Sequence, residues 1–210
     1  MDRFHLRTVA PGITAVVWVL LVVASAPSPV DATVDLASEP RLTMTALTAD
    51  QEFLVGWAVA LFEDAGLGLP PVDFVGSEND APCQGRLGAA RWNQGRSEIS
   101  LCTDGAGGVE EMLVVHELAH AWDRHDLQDD RRQDFLEVRG LQQWRGDAEW
   151  HDRGAEHAAS IITWGLMDRP VRPGHISGDT CAELQLGYET LTGRPPLHGF
   201  HDLCDQRTGG

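Results

Sequence analysis

The segment VVHELAHAWDRH, residues 114–125, constrains the fold of this chain more than any other stretch. His116 and His120 continue a helical spacing that begins with Val109 and Leu113. Residues four apart on an α-helix lie one turn above the other on the same face, so both imidazoles can reach one metal ion. The segment therefore predicts a helix that is buried on its apolar side and carries a pair of metal-binding side chains.

Glu117 follows the first histidine, and successive residues of a helix are rotated by about 100° from each other. This rotation places Glu117 beside a bound ion without making it a ligand, which is where a general base is needed. Zinc accepts imidazole nitrogen, and a catalytic zinc ion takes a third protein ligand and leaves one position to water. The alternative is a helix with both histidines packed in the core, but buried imidazoles beside a glutamate would need polar partners of their own.

The order of predicted elements indicates an α+β fold. A helix begins at Thr48, which forms a capping box with Gln51. A short strand at 70–75 follows, and then a β-hairpin with strands at 86–92 and 97–102. After the hairpin only helices are predicted, at about 109–124, 129–144, 152–167 and 179–192.

The N-terminus has the pattern of a secretory signal peptide. The apolar run at 13–24 is shorter than the roughly 20 residues that span a bilayer. Cleavage after Ala32 is favoured over cleavage after Ala26, because Pro27 would hinder the latter. An uncleaved N-terminal anchor is the alternative. The predicted organisation is a signal peptide at 1–32, a spacer or short pro-segment at 33–47, and one domain at 48–210.

Export agrees with the use of cysteine in this chain. There are four cysteines and no CxxC pair, so disulfides are favoured over a thiolate zinc site. Each predicted disulfide closes a short local loop. The expected pairs are Cys83 with Cys102 and Cys181 with Cys204.

The net charge of −16 excludes two classes of partner. Such a surface repels phosphate backbones and anionic lipids, so nucleic acid binding and peripheral membrane binding are not expected. No stable membrane association is expected once the signal peptide has been removed. The charge says little about which substrate is used and nothing about oligomeric state.

Two segments resemble a known superfamily. HELAH at 116–120, following a strand, and GAEHAASIITWG at 154–165, on a later helix, look like the zincin metallopeptidases whose third zinc ligand is a glutamate. The resemblance covers about residues 86–167. It implies a compact zincin-like fold with a mixed sheet, whose edge strand at 97–102 lines the substrate cleft in front of the active-site helix. A peptide could then add to that edge as a further strand.

The resemblance also implies roles for individual residues. Glu117 would be the general base that deprotonates the attacking water and passes the proton to the leaving amine. The residue that stabilises the oxyanion stays open between Tyr188, His198 and His201. The implied ligands of one zinc ion are His116, His120 and Glu156.

Two other residues compete with Glu156 for the position of third ligand. Asp126 lies where some zincins place a ligand, but those relatives have a glycine at the position of Asp123 that lets the chain turn back. His151 precedes the predicted helix and has no partner at helical spacing. Glu156 is favoured because its neighbouring alanines permit close packing against the histidine helix.

With this resemblance, the sequence predicts a secreted zinc-dependent metallopeptidase whose partner is a peptide or protein substrate. One alternative is a catalytically silent zincin-like domain that binds a protein or cell-wall partner, although an intact glutamate in HELAH argues against it. Another is a zinc amidase that acts on a non-peptide or cell-wall amide.

Overall fold

Parallel strands need a long crossover, and the first helix supplies one. In the computed structural model, β1 (Leu42–Thr45) and β2 (Val72–Ser77) pair in parallel, and α1 (Ala49–Asp64) connects them. The predicted capping box at the start of α1 is confirmed. Gln51 donates its backbone N–H to the Thr48 hydroxyl at 3.3 Å, and the Gln51 amide oxygen accepts from the Thr48 N–H at 2.8 Å.

The folded part of the chain begins earlier than predicted. Residues 42–45 fall within the predicted spacer, but they form β1, the outermost strand next to β2. Four residues are too few to show the alternation of a half-buried strand, so the sequence pattern could not reveal it. The predicted signal peptide, Cys204 and His201 lie outside the described residues. The structure describes residues 41–77, 82–84, 86–93, 95–102, 110–169, 171, 173 and 176–198.

The predicted hairpin is present, but its strands lie in an unexpected order. β3 (Gly88–Asn93) and β4 (Arg96–Cys102) pair antiparallel around a turn that contains Gly95 at φ 85°. β4 also pairs in parallel with β2, which gives the order β1-β2-β4-β3. The prediction that the strand at 97–102 forms an edge of the sheet is therefore wrong. This strand, β4, lies between β2 and β3, and β3 forms the edge on that side.

Burial explains why β4 lies inside the sheet. Ile99 and Leu101 on β4 are fully buried and need neighbours on both sides, whereas β3 ends in the exposed residues Arg91, Trp92 and Asn93. Charged and polar residues are typical of an edge strand. The hairpin pattern alone does not say which of its two strands docks on the rest of the sheet.

The helices complete an α+β fold, as predicted. α2 lies between the sheet and the C-terminal helices, where it packs against β3, α1 and α4. α5 packs against α3 and α4. Within the described part of the chain, no helix has the length and hydropathy needed to cross a membrane. The helices after the hairpin are α2 (Glu111–His125), α3 (Asp129–Arg139), a 3-10 turn (Trp150–Asp152), α4 (Gly154–Leu166) and α5 (Cys181–Thr192).

The first predicted disulfide is confirmed. Cys83 and Cys102 are bonded, which ties the loop before β3 to the end of β4. Both cysteines are buried. Cys181 carries no free thiol, but Cys204 lies outside the described residues, so the second pairing stays a prediction.

Candidate metal centre

One face of α2 carries the two histidines, and the opposite side is buried in the core. Val114, Val115 and Leu118 are fully buried, which fixes the rotation of the helix about its axis. His116 and His120 keep 18% and 16% of their side chains exposed, so both imidazoles remain accessible to an ion. Their rings meet edge to face with centroids 4.8 Å apart, as expected for residues one turn apart.

Small residues bring α4 close enough for its glutamate to reach the histidines. Ala155, Ala158 and Ala159 are buried on α4. A Cβ at Gly154 would come within 2.7 Å of a Leu136 methyl group and 2.9 Å of the Trp144 ring. Any side chain there would push the start of α4 away, so the tight packing depends on these small residues.

Glu156 projects from the first turn of α4 between the two imidazoles. Its Oε2 lies 3.4 Å from His116 Nε2 and 3.2 Å from His120 Nε2. One possible ligand atom from each of the three residues lies within 4.8 Å of the other two. Within the described residues, this is the group of three that could hold a metal ion. Two imidazoles and a carboxylate are a donor set that zinc accepts.

The charges of this centre balance one another. Burial opposes the charged form of Glu156, but hydrogen bonds and charge from His116 and His120 outweigh it and hold the pKa of the carboxyl far below its usual value. Burial likewise disfavours the charged form of His120, but Glu156, with smaller effects from Glu117 and Asp123, raises its pKa. The carboxylate is therefore ionised and ready to act as a ligand.

Glu117 faces the same cleft as the three candidate ligands. The cleft has a volume of about 890 Å³ and is lined by β3 on one side and by α2 and α4 on the other. Glu117 is 7% exposed and lies against the start of β3. A Cβ added at Gly88 would approach Glu117 Oε1 to 3.0 Å, so only glycine leaves the carboxylate its present place.

The two competing third ligands lie elsewhere. α2 continues through Asp123 to His125, and Asp126 is the exposed residue that ends it. The chain therefore does not turn back toward the histidines at that point. His151 is exposed in the 3-10 turn and pairs with Asp152 at 3.6 Å. Neither belongs to the group of three.

Two of the three candidates for the residue that stabilises the oxyanion, Tyr188 and His198, do not line the cleft. Tyr188 is 1% exposed, and burial raises its pKa to about 12. Its ring packs on Gly165, where a Cβ would meet it at 2.3 Å. Tyr188 is therefore a core residue outside the cleft. His198 does not line the cleft either, and His201 lies outside the described residues.

Sequence reasoning missed a charged cluster around Asp123. This carboxylate is 2% exposed and accepts from Arg132 Nε at 3.2 Å, from Trp144 Nε1 at 3.3 Å and from Arg145. One signal was present, because Asp123 lies seven residues after His116 on the same helix face. Its partners come from distant segments, which no local pattern indicates.

Comparison with known proteins adds no relative. The sequence matches no family model and no curated protein, and the structure matches no solved structure. The candidate centre is therefore interpreted from its own residues and geometry.

Proposed function

We propose that this protein is a secreted, zinc-dependent metallopeptidase. The observation that carries the proposal is the convergence of His116, His120 and Glu156 in an open cleft, with Glu117 on the adjacent helix position. These three residues would hold the ion. When bound, zinc supplies Lewis-acid polarisation of a carbonyl and makes water more acidic near neutral pH.

Glu117 would carry the proton through the reaction. It takes the proton from the attacking water and delivers it to the leaving amine, which is the work of a general base followed by a general acid. Its carboxylate faces the cleft but is not part of the group of three, so it is free for this role. The edge strand β3 lines the cleft and offers main-chain groups to an extended peptide.

Two observations support action outside the cytoplasm. The Cys83–Cys102 disulfide belongs to the class of bond that persists in oxidising compartments. The apolar run at 13–24, which lies outside the described residues, has the pattern of a signal peptide.

The test compares the full-length chain with Glu117→Gln on a mixed peptide library, with and without a chelator. We expect cleavage that the chelator abolishes and that Glu117→Gln lowers by about 100-fold or more. Zinc content, measured by atomic emission, should stay near one ion per chain in the variant. Glu110→Gln is the matched control, because Glu110 lines the same cleft but caps α2 through its backbone alone.

The outcomes separate this proposal from its rivals. Equal cleavage by Glu117→Gln would remove that residue as the base. Zinc binding without cleavage of any peptide would favour a binding domain or an amidase with a different substrate.

A further inference from the structure

The lining of the cleft has the opposite charge balance to the chain as a whole. The chain has 32 acidic and 16 basic residues. Among the described residues, five arginines line the cleft against three glutamates, and two of those glutamates, Glu117 and Glu156, belong to the candidate centre. Away from the centre, Glu110 is the one acidic residue in the described part of the lining. The five are Arg86, Arg91, Arg124, Arg145 and Arg153.

Three of these arginines, Arg124, Arg145 and Arg153, come from the end of α2 and from the segment that leads into α4, and they are called the arginine group below. Arg124 follows His120 by one turn on α2, so it continues the line of the histidines. Arg153 immediately precedes α4, and its backbone forms a bridge with Gln143, close in sequence to Arg145. The arginine group therefore lies where α2 ends and α4 begins.

The arginine group is only partly neutralised. Arg145 pairs with the buried Asp123, which also serves Arg132. Arg124 forms no ion pair within the described residues. Burial lowers the pKa of Arg124, and repulsion from Arg145 and Arg132 lowers it further against the attraction of Asp123.

The side chains around the group leave its positive charge facing the cleft. Arg153 donates from Nε to the Ala148 carbonyl oxygen at 2.8 Å, which leaves its terminal nitrogens free of that bond. Asp147 and Glu149 lie in the same segment, but both are exposed and neither lines the cleft. A guanidinium group prefers the planar, paired oxygens of a carboxylate.

From this placement we propose that the arginine group binds a carboxylate of the substrate, so that the protein prefers acidic peptides. The inference rests on the proposed peptidase function. Arg124 lies four residues beyond His120, about 6 Å along the helix, and an extended peptide covers that distance in about two residues. The carboxylate therefore belongs to an acidic side chain about two residues from the cleaved bond, or to a peptide C-terminus at that distance.

The experiment measures binding separately from cleavage. Four labelled peptides share one sequence and differ at one position, Glu or Gln, and at the C-terminus, free or amidated. They are titrated by fluorescence anisotropy against the zinc-loaded full-length chain carrying Glu117→Gln. We expect the peptide with one suitable carboxylate to bind about tenfold more tightly than the uncharged peptide. A gain from Glu in the amidated peptide identifies a side chain, and a gain from the free terminus identifies the C-terminal carboxylate.

Arginine variants locate the effect. Adding Arg124→Gln should remove most of the preference, and adding Arg41→Gln should not. Arg41 is an exposed arginine outside the cleft, so this control makes the same change in net charge. Equal binding of all four peptides overturns the proposal, and so does an equal loss from both variants, because the latter would make net charge responsible. A retained preference in a protein that cleaves no peptide overturns the peptidase function but supports the carboxylate site.

Discussion

The candidate metal centre and the arginine group line the same cleft but differ in how their charges are balanced. At the candidate metal centre, the Glu156 carboxylate lies between two imidazoles at 3.4 and 3.2 Å, and the pKa values of Glu156 and His120 shift toward the charged forms of these two groups. At the arginine group, the buried Asp123 pairs with Arg145 but also with Arg132, which lies outside the group, and Arg124 has no ion pair among the described residues. The candidate metal centre is held together by its own residues, whereas the arginine group has an excess of positive charge.

The residues of the candidate metal centre are held in place by one another, whereas the arginine group is suited to bind an added anion. A centre whose members contact one another keeps its geometry before any ion arrives, and an ion then takes the place of the proton that a histidine shares with Glu156. A group of like charges in a partly buried cleft gains most when an anion is added. Three substitutions test the candidate metal centre and the arginine group separately, in order of decreasing expected effect.

Replacing Glu156, the proposed third ligand, should have the largest effect. Glu156→Ala removes one of three candidate donors, so zinc affinity should fall by more than the roughly 10- to 100-fold that loss of an outer partner costs. Zinc content after dialysis against a weak chelator measures it. Asp126→Ala is the control and should keep its zinc, because that exposed side chain lies outside the group of three. The reverse result would remove Glu156 from the ligand set.

Displacing Glu117, the proposed base, should lower activity without loss of zinc. The Cβ of Gly88→Ala would lie 3.0 Å from Glu117 Oε1 and from a Leu113 methyl group, so the carboxylate has to move. A displacement of about 1 Å can cost about 100-fold in rate, and we expect a fall of that order in peptide cleavage.

Gly56→Ala is the matched control for this change. A Cβ at Gly56, on the exposed side of α1, meets nothing within 4 Å. Its cleavage rate should be unchanged, and the free energy of unfolding should rise by about 0.5–1 kcal/mol because alanine favours the helix. An unchanged rate in Gly88→Ala would mean that Glu117 tolerates the shift or is not the base.

Weakening the anchor of the arginine group should affect stability. Asp123→Asn removes the buried charge that holds Arg132 and Arg145, and we expect a loss of about 2 kcal/mol in the free energy of unfolding. Urea denaturation in the presence of a chelator measures it apart from any ion. Asp129→Asn tests the same Arg132 at an exposed carboxylate and should cost less than about 0.5 kcal/mol. Similar losses would show that burial of Asp123 is unimportant.

The parts of the site that depend on local spacing could be predicted from the sequence. The histidine pair and Glu117 follow from helical geometry, and the structure places all three in one cleft. Glu156 was favoured because of its small neighbours, and these neighbours are buried as expected. Arg145 and Arg153 could not be found in this way, because they reach the cleft only through contacts between distant segments.

The same distinction holds for the fold. The capping box at Thr48 and the hairpin around Gly95 are local patterns, and both are present. The identity of the edge strand depends on which hairpin strand pairs with β2, and the sequence of the hairpin alone does not determine that pairing. β1 is four residues long, and its pairing with β2 positions it, because it is too short to show a hydrophobic pattern of its own.

The Cys83–Cys102 disulfide closes the segment that forms one wall of the cleft into a covalent ring. Cys83 and Cys102 are 19 residues apart, and the segment between them contains all of β3 and most of β4. The hairpin is thus part of a closed ring. A single break in the backbone anywhere inside that ring, including at the turn beside Gly95, leaves both halves of the protein joined. If the protein cuts peptides, the strand that lines its own cleft can be nicked once without the chain falling into two pieces.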